Sequence, residues 1–146
     1  MPRKVIIDTD PGQDDAVALL LALASPQDLD VLGVIATAGN VPLHHTLNNA
    51  RRVVELSGRT DVPVFAGSAR PMRRALVTAE QVHGVTGLDG VDLPPPSLPE
   101  QAQGGVDFLI ERLRAAEDGE ITLVTLGALT DLGHAFTRAP DVVRKV

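Results

Sequence analysis

The hydrophobic residues of this chain fall into short runs separated by turns and by longer amphipathic segments. The first run, residues 5–7, is β-branched and leads into a Pro11-Gly12 turn, after which residues 16–24 are all apolar. A β-branched run favours a strand, a Pro-Gly pair favours a turn, and a longer apolar segment favours a helix. The beginning of the chain therefore predicts a strand, a tight loop and a helix.

The same alternation continues along the rest of the chain. Predicted strands cover residues 30–38, 62–67 and 121–126, and predicted helices cover residues 42–57, 105–116 and 130–137. Residues 68–103 have no clear periodicity and include the glycine-rich segment 83–90, which is typical of a functional loop. Alternating strands and helices predict an α/β fold with a mainly parallel, Rossmann-like sheet and flanking helices. Residues 1–146 are predicted to form one domain.

Polar and glycine residues follow three of the predicted strands. They occur in residues 8–15, in Gly39-Asn40 and in Leu126-Gly127. Ligands of parallel α/β sheets bind at the carboxyl ends of the strands. We therefore expect these three segments to converge on one crevice.

The first strand-to-helix turn contains four carboxylates, Asp8, Asp10, Asp14 and Asp15. Such closely spaced carboxylates repel one another, and a helix N-terminus offsets only part of their charge. A bound hard cation would offset more, and oxygen ligands suit Ca²⁺ or Mg²⁺. The alternative interpretation is that Asp14 is an ordinary helix N-cap and that the other three are solvated.

Composition excludes several classes of function. The net charge of −6 disfavours a nucleic acid or an anionic membrane as a partner. The chain contains no Cys, which excludes disulfides, thiolate metal sites and Cys nucleophiles. Residues 16–24 are too few to span a bilayer, and the N-terminus has no signal-peptide pattern, so we expect a cytoplasmic protein.

The segment Asp8-Thr9-Asp10-Pro11-Gly12-Gln13-Asp14-Asp15-Ala16 resembles the N-terminal motif of the inosine-uridine nucleoside hydrolase family. Similar segments follow at residues 37–40, 49–50, 61–64, 83–84 and 126–132. The resemblance covers essentially the whole chain but only about the first half of a usual family member. It therefore implies a truncated nucleoside hydrolase-like domain.

The resemblance implies Ca²⁺-dependent hydrolysis of the N-glycosidic bond of a ribonucleoside such as inosine or uridine. By this resemblance Asp10, Asp15 and the backbone carbonyl of Leu126 are metal ligands, and Asp10 is also the general base for the attacking water. These roles agree with general chemistry, because carboxylates stabilise an oxocarbenium-like transition state and a metal ion activates water. The product would be ribose and a free base.

Three further residues are implied to bind the substrate. Asp14 would accept a hydrogen bond from a ribose hydroxyl, Asn40 matches a ribose-binding Asn, and His83 would lie in a loop beside the base. From the residues alone, Asn40 is also a reasonable turn residue, and His83 is a reasonable member of a mobile lid.

The chain departs from the family pattern at several points. Gln13 occupies a position that is usually apolar, and Ala128 and Asp131 stand where Pro or Gly and Asn are commoner. The later metal-binding Asp and the ribose-binding groups of the second half have no counterpart. A half-domain of this kind would expose a sheet edge and an apolar face, which predicts a homo-oligomer.

Two alternatives to a hydrolase stay open on the sequence. The first is a catalytically incomplete remnant that binds Ca²⁺ or ribose. The second is a phosphatase of the haloacid-dehalogenase type, in which Asp8 would be the nucleophile and Asp10 the acid-base. That family expects Gly-Thr directly after the second Asp, whereas this chain has Pro11-Gly12.

Overall fold

Strands and helices alternate along the whole chain in a computed structural model that describes residues 1–146. The strands are β1 (Arg3–Thr9), β2 (Leu29–Ala36), β3 (Val64–Ala66) and β4 (Ile121–Thr125). The α-helices are α1 (Gln13–Leu23), α2 (Leu43–Leu56), α3 (Glu80–His83), α4 (Gly105–Ala115) and α5 (Thr130–Arg138), and a 3₁₀ helix (Pro140–Lys145) follows them. None of these helices combines the length and the apolar character that crossing a membrane requires.

The four strands form one parallel sheet in the order β3-β2-β1-β4, which confirms the predicted α/β fold. β1 lies inside the sheet between β2 and β4, and its residues from Val5 to Thr9 are all buried. A strand covered on both faces has no polar face, which explains the continuous apolar run in the sequence.

Side-chain alternation along β1 divides the hydrophobic core into two layers. Val5 and Ile7 pack with residues of α1 and α2, whereas Ile6 packs with residues of α4 and α5. Because successive side chains of a strand point to opposite faces, Asp8 continues the α4/α5 side and Thr9 continues the α1/α2 side. This alternation decides which helix each polar residue at the end of β1 meets.

One boundary agrees with the sequence prediction and one differs from it. α1 begins at Gln13, so Asp14 and Asp15 lie at the helix N-terminus as the sequence predicted. β3 begins at Val64 rather than at residue 62, because Pro63 has no N–H to donate to a neighbouring strand. The long segment 67–104 is irregular as predicted, apart from the four-residue helix α3.

Candidate active site

Asp10 lies directly after β1, and Asn40, in the loop that follows β2, donates two hydrogen bonds to it. The backbone N–H of Asn40 donates to Asp10 Oδ2 at 2.7 Å, and Asn40 Nδ2 donates to the Asp10 backbone carbonyl at 2.9 Å. These two hydrogen bonds fix both the carboxylate and the backbone of Asp10. The side chain of Asn40 is therefore already engaged in shaping the turn, as its interpretation as a turn residue expects.

Two glycines let the neighbouring loops approach the Asp10 carboxylate. A Cβ atom at Gly39 would collide with Asp10 Oδ2, and one at Gly127 would lie 2.8 Å from Asp10 Oδ1. A third contact joins the same strand ends, since the N–H of Leu126 donates to the Asp8 carbonyl at 2.8 Å. The expected convergence of the three segments is confirmed.

Asp15 is buried at the start of α1 and is held by β1. Thr9 Oγ1 donates to Asp15 Oδ1 at 2.7 Å. Burial raises the pKa of Asp15, and the Thr9 hydrogen bond opposes that effect. The N-cap of α1 is Gly12 and no side chain caps the helix, so the interpretation of Asp14 as an N-cap is wrong. Asp14 is exposed to solvent beside the buried Asp15.

Asp8 and Asp131 form a second, deeper pair of carboxyl groups. Asp8 is 3% exposed and Asp131 is 0% exposed. Neither oxygen of Asp8 has a hydrogen-bond partner, whereas Ser68 Oγ donates to Asp131 Oδ1 at 2.5 Å. Burial raises the pKa of Asp8 to about 8, with further contributions from Asp131 and Asp10. Burial without a hydrogen-bond partner disfavours the ionised, nucleophilic form of Asp8, which argues against the phosphatase alternative.

A comparison of the sequence with models of known protein families gives a match that covers nearly the whole chain. The model of the family described as inosine-uridine preferring nucleoside hydrolase matches residues 5–146. The chain belongs to this family. The resemblance noted in the sequence is thereby confirmed.

Similar proteins support membership in the nucleoside hydrolase family. An uncharacterised protein of Schizosaccharomyces pombe is 51% identical over 97% of this chain and 46% of its own length. A protein of Shewanella sp. (strain MR-4) named pyrimidine-specific ribonucleoside hydrolase RihA is 48% identical over 100% of this chain and 45% of its own length. The structure of the plant nucleoside hydrolase PpNRh1 covers 100% of this chain and 46% of its own, with 39% identity and a TM-score of 0.88. The chain thus spans slightly less than half the length of these proteins.

The pKa of Asp10 is raised above that of an ordinary aspartate. Burial raises its pKa to about 6, the N–H of Asn40 opposes this effect, and the charges of Asp15 and Asp14 add to it. A general base is most effective when its pKa lies near the working pH. A cation bound beside Asp10 would lower this pKa and keep the carboxylate ionised.

His83 lies against the turn that carries the carboxylates. His83 Nδ1 is 2.6 Å from Gln13 Oε1, and a Cβ atom at Gly12 would collide with the imidazole ring. His83 is the last residue of α3, whereas the sequence placed it in a glycine-rich loop. The structure therefore brings His83 to the candidate site through Gly12 and Gln13, and it makes no hydrogen bond to Asp10, Asp14 or Asp15.

The predicted metal ligands agree with a hard cation in their chemistry but are few. Asp10 and Asp15 lie at the same turn, and burial raises the pKa of each. Asp8 adds two buried oxygens without partners. No group of three or more His, Cys, Asp or Glu side chains is arranged to hold a metal ion. Ca²⁺ takes six to eight oxygen ligands, so these side chains alone do not complete a coordination sphere.

The sequence did not reveal two interactions of the site. Asp131 lies close enough to Asp8 for its charge to raise the pKa of that carboxyl group, and Gln13 contacts His83. Both residues stood out only as departures from the family pattern. Contacts between residues so far apart in the chain leave no pattern among neighbouring residues. In the sequence, these two residues were marked only by their difference from the residues usual in the family.

Proposed function

We propose that this protein takes part in Ca²⁺-dependent hydrolysis of the N-glycosidic bond of ribonucleosides, releasing ribose and a free base. The observation that carries this proposal is the position of Asp10 in a nucleoside hydrolase family chain. Asp10 is 7% exposed, and its carboxylate lies at the carboxyl end of a central parallel strand, enclosed by Gly39, Asn40 and Gly127. Ligands of such sheets bind at this edge.

Asp10, Asp15 and the backbone carbonyl of Leu126 would hold the Ca²⁺ ion. When bound, the ion supplies Lewis-acid chemistry that lowers the pKa of a water molecule and offsets the charge of the carboxylates. The unpartnered buried oxygens of Asp8 and the raised pKa values of Asp10 and Asp15 support a cation at this turn.

Asp10 is proposed as the general base. Its Oδ2 is occupied by the N–H of Asn40, which leaves Oδ1 beside Gly127 to accept the proton of the attacking water. Burial raises the pKa of Asp10 when no ion is bound, and a Ca²⁺ ion bound beside it would keep the carboxylate ionised and able to accept that proton.

The exposed carboxylate of Asp14 is proposed to accept hydrogen bonds from ribose hydroxyls. Negative charge from Asp10 and Asp14 on the same turn would stabilise the oxocarbenium-like transition state. Asn40 donates its side-chain amide to the backbone of Asp10, which leaves its amide oxygen available to ribose. His83 would border the base. The relative named as pyrimidine-specific makes uridine the first substrate to test, followed by inosine.

We further propose a cytoplasmic homo-oligomer. β4 is at the edge of the sheet, and beside it Leu126 and Leu129 are 40% and 61% exposed. An exposed strand edge with adjacent apolar side chains favours association. Light scattering of the purified chain tests this proposal, and a monomer at all concentrations would contradict it.

The decisive experiment is the release of reducing sugar from uridine and inosine, with added Ca²⁺ and with a chelator. We expect chelator-sensitive release that is lost in Asp10→Ala and retained in the control Asp92→Ala, because Asp92 is exposed and distant in sequence from the turn. Release that survives both the chelator and Asp10→Ala would refute the proposed mechanism.

A non-catalytic, cation-binding role is the second candidate. The small number of side-chain ligands in this chain favours it. Calorimetric Ca²⁺ binding that requires Asp10 and Asp15, without release of sugar from either nucleoside, would select this role over hydrolysis.

A further inference from the structure

The side chain of Gln13 connects the carboxylate turn to the segment 83–89, here called the His83 loop. Gln13 is the first residue of α1, directly before Asp14 and Asp15. Its Oε1 atom lies 2.6 Å from His83 Nδ1, and its Nε2 atom lies 3.4 Å from the His83 carbonyl oxygen and 3.5 Å from the Asp89 carbonyl oxygen. One amide group therefore contacts both ends of the loop.

These contacts determine the tautomer of His83. Backbone carbonyl oxygens only accept hydrogen bonds, so the Nε2 atom of Gln13 must face them and its Oε1 atom must face the imidazole ring. An amide oxygen also only accepts, so the short contact requires a proton on His83 Nδ1. In neutral His83 the other nitrogen, Nε2, is then unprotonated and acts as an acceptor.

The His83 loop is held by contacts that do not involve Gln13. The Asp89 carboxylate accepts the N–H groups of Val85 at 3.0 Å and Thr86 at 3.1 Å. Asn49 Nδ2 donates to the Thr86 carbonyl at 2.7 Å and to the Pro11 carbonyl at 3.2 Å. Loss of the Gln13 amide should therefore change the imidazole while leaving most of the loop in place.

The position of α3 brings His83 beside the candidate active site. The N–H of Ala79, just before α3, donates to the Asn40 carbonyl at 2.8 Å, and His83 at the end of α3 contacts Gln13. The short helix α3 thus lies between Asn40, in the loop after β2, and Gln13, the first residue of α1.

We infer that Gln13 is a positioning residue that holds His83 as the Nδ1–H tautomer with its ring against the carboxylate turn, so that Nε2 meets the substrate. The inference rests on the proposed function for the nature of that substrate, a ribonucleoside with hydroxyl and base N–H groups that donate to Nε2. An apolar side chain at position 13 fills space but accepts no hydrogen bond, so the ring would lose its fixed tautomer.

Long-range ¹⁵N NMR of the full chain without substrate tests the inference directly. We expect neutral His83 to carry its proton on Nδ1 in the unsubstituted protein, to lose this preference in Gln13→Leu, and to keep it in Gln13→Glu, whose carboxylate still accepts. Gln81→Leu is the matched control, because Gln81 is exposed and lies in the same short helix. An Nε2–H tautomer in the unsubstituted protein, or an unchanged tautomer in Gln13→Leu, would overturn the inference.

Kinetics then separate this inference from the proposed function. With uridine we expect kcat/KM to fall roughly 10- to 100-fold in Gln13→Leu, as for other misplaced groups, and to recover in Gln13→Glu. Absence of hydrolysis with the expected tautomers would reject the proposed function and leave the positioning role supported. Hydrolysis that is unaffected by Gln13→Leu would reject the positioning role alone.

Discussion

Replacement of Asp8 by Asn should make the protein more stable at neutral pH and less sensitive to pH. Asp8 is 3% exposed and its carboxyl oxygens have no partners. Burial is the main cause that raises its pKa from 3.8 to about 8, and Asp131 adds to the effect. An isosteric amide stays neutral in both the folded and the unfolded state, so Asp8→Asn removes the cost of taking up a proton on folding while nearly preserving volume.

The sign of the effect follows from proton linkage. Between pH 3.8 and about 8 the folded protein binds more protons at Asp8 than the unfolded chain does. The free energy of unfolding therefore falls as pH rises through this window. At about 1.4 kcal/mol per pKa unit, Asp8 lowers the free energy of unfolding at pH 7 by roughly 4 kcal/mol relative to its value at low pH, where Asp8 is protonated in both states.

Guanidinium unfolding followed by circular dichroism, in the presence of a chelator, measures this effect. We expect the stability advantage of Asp8→Asn over the unsubstituted protein to grow by roughly 3 kcal/mol between pH 5 and pH 7. Asp92→Asn is the control, because its carboxylate is exposed. Parallel stability curves for Asp8→Asn and the unsubstituted protein over this range would refute the reasoning.

The partner carboxyl of this pair allows an independent check. Asp131→Asn keeps an acceptor for the Ser68 hydroxyl and removes a charge that raises the pKa of Asp8. We expect it to stabilise the protein at pH 8 more than at pH 5, by the same unfolding assay. A variant that is equally destabilised at both pH values would show that the charge of Asp131 is not the cause.

Two further substitutions test contacts around the carboxylates. Thr9→Val removes the hydroxyl that donates to buried Asp15. We expect the free energy of unfolding in guanidinium to fall by about 1–3 kcal/mol and Ca²⁺ binding to weaken in calorimetry. Unchanged values in both measurements would contradict this role of Thr9. Gly67→Ala places a Cβ atom against Asp131 Oδ2, and we expect a loss of about 1–3 kcal/mol in thermal unfolding, whereas Gly104→Ala, whose Cβ atom would lie 3.9 Å from its nearest neighbour, should cost less. Equal effects of the two alanines would show that the clash is relieved.

The sequence predicted the sheet and four of the five α-helices because their signals are local. A β-branched run such as residues 5–7 and the apolar face of α2 each mark an element from neighbouring residues alone. The exception is α3, whose four residues include none that is buried. A helix without an apolar face has no periodic signal, so only the tertiary structure reveals it.

What the sequence alone determined about this protein is its parallel α/β architecture, its family motif and the position of Asp10 at the end of β1. These depend on residue order and local periodicity. The tertiary structure alone decided that Asp8 faces Asp131 and that Gln13 meets His83. Strand alternation and helix packing set those neighbours, and the burial that results raises the pKa of each aspartate, which no local pattern encodes.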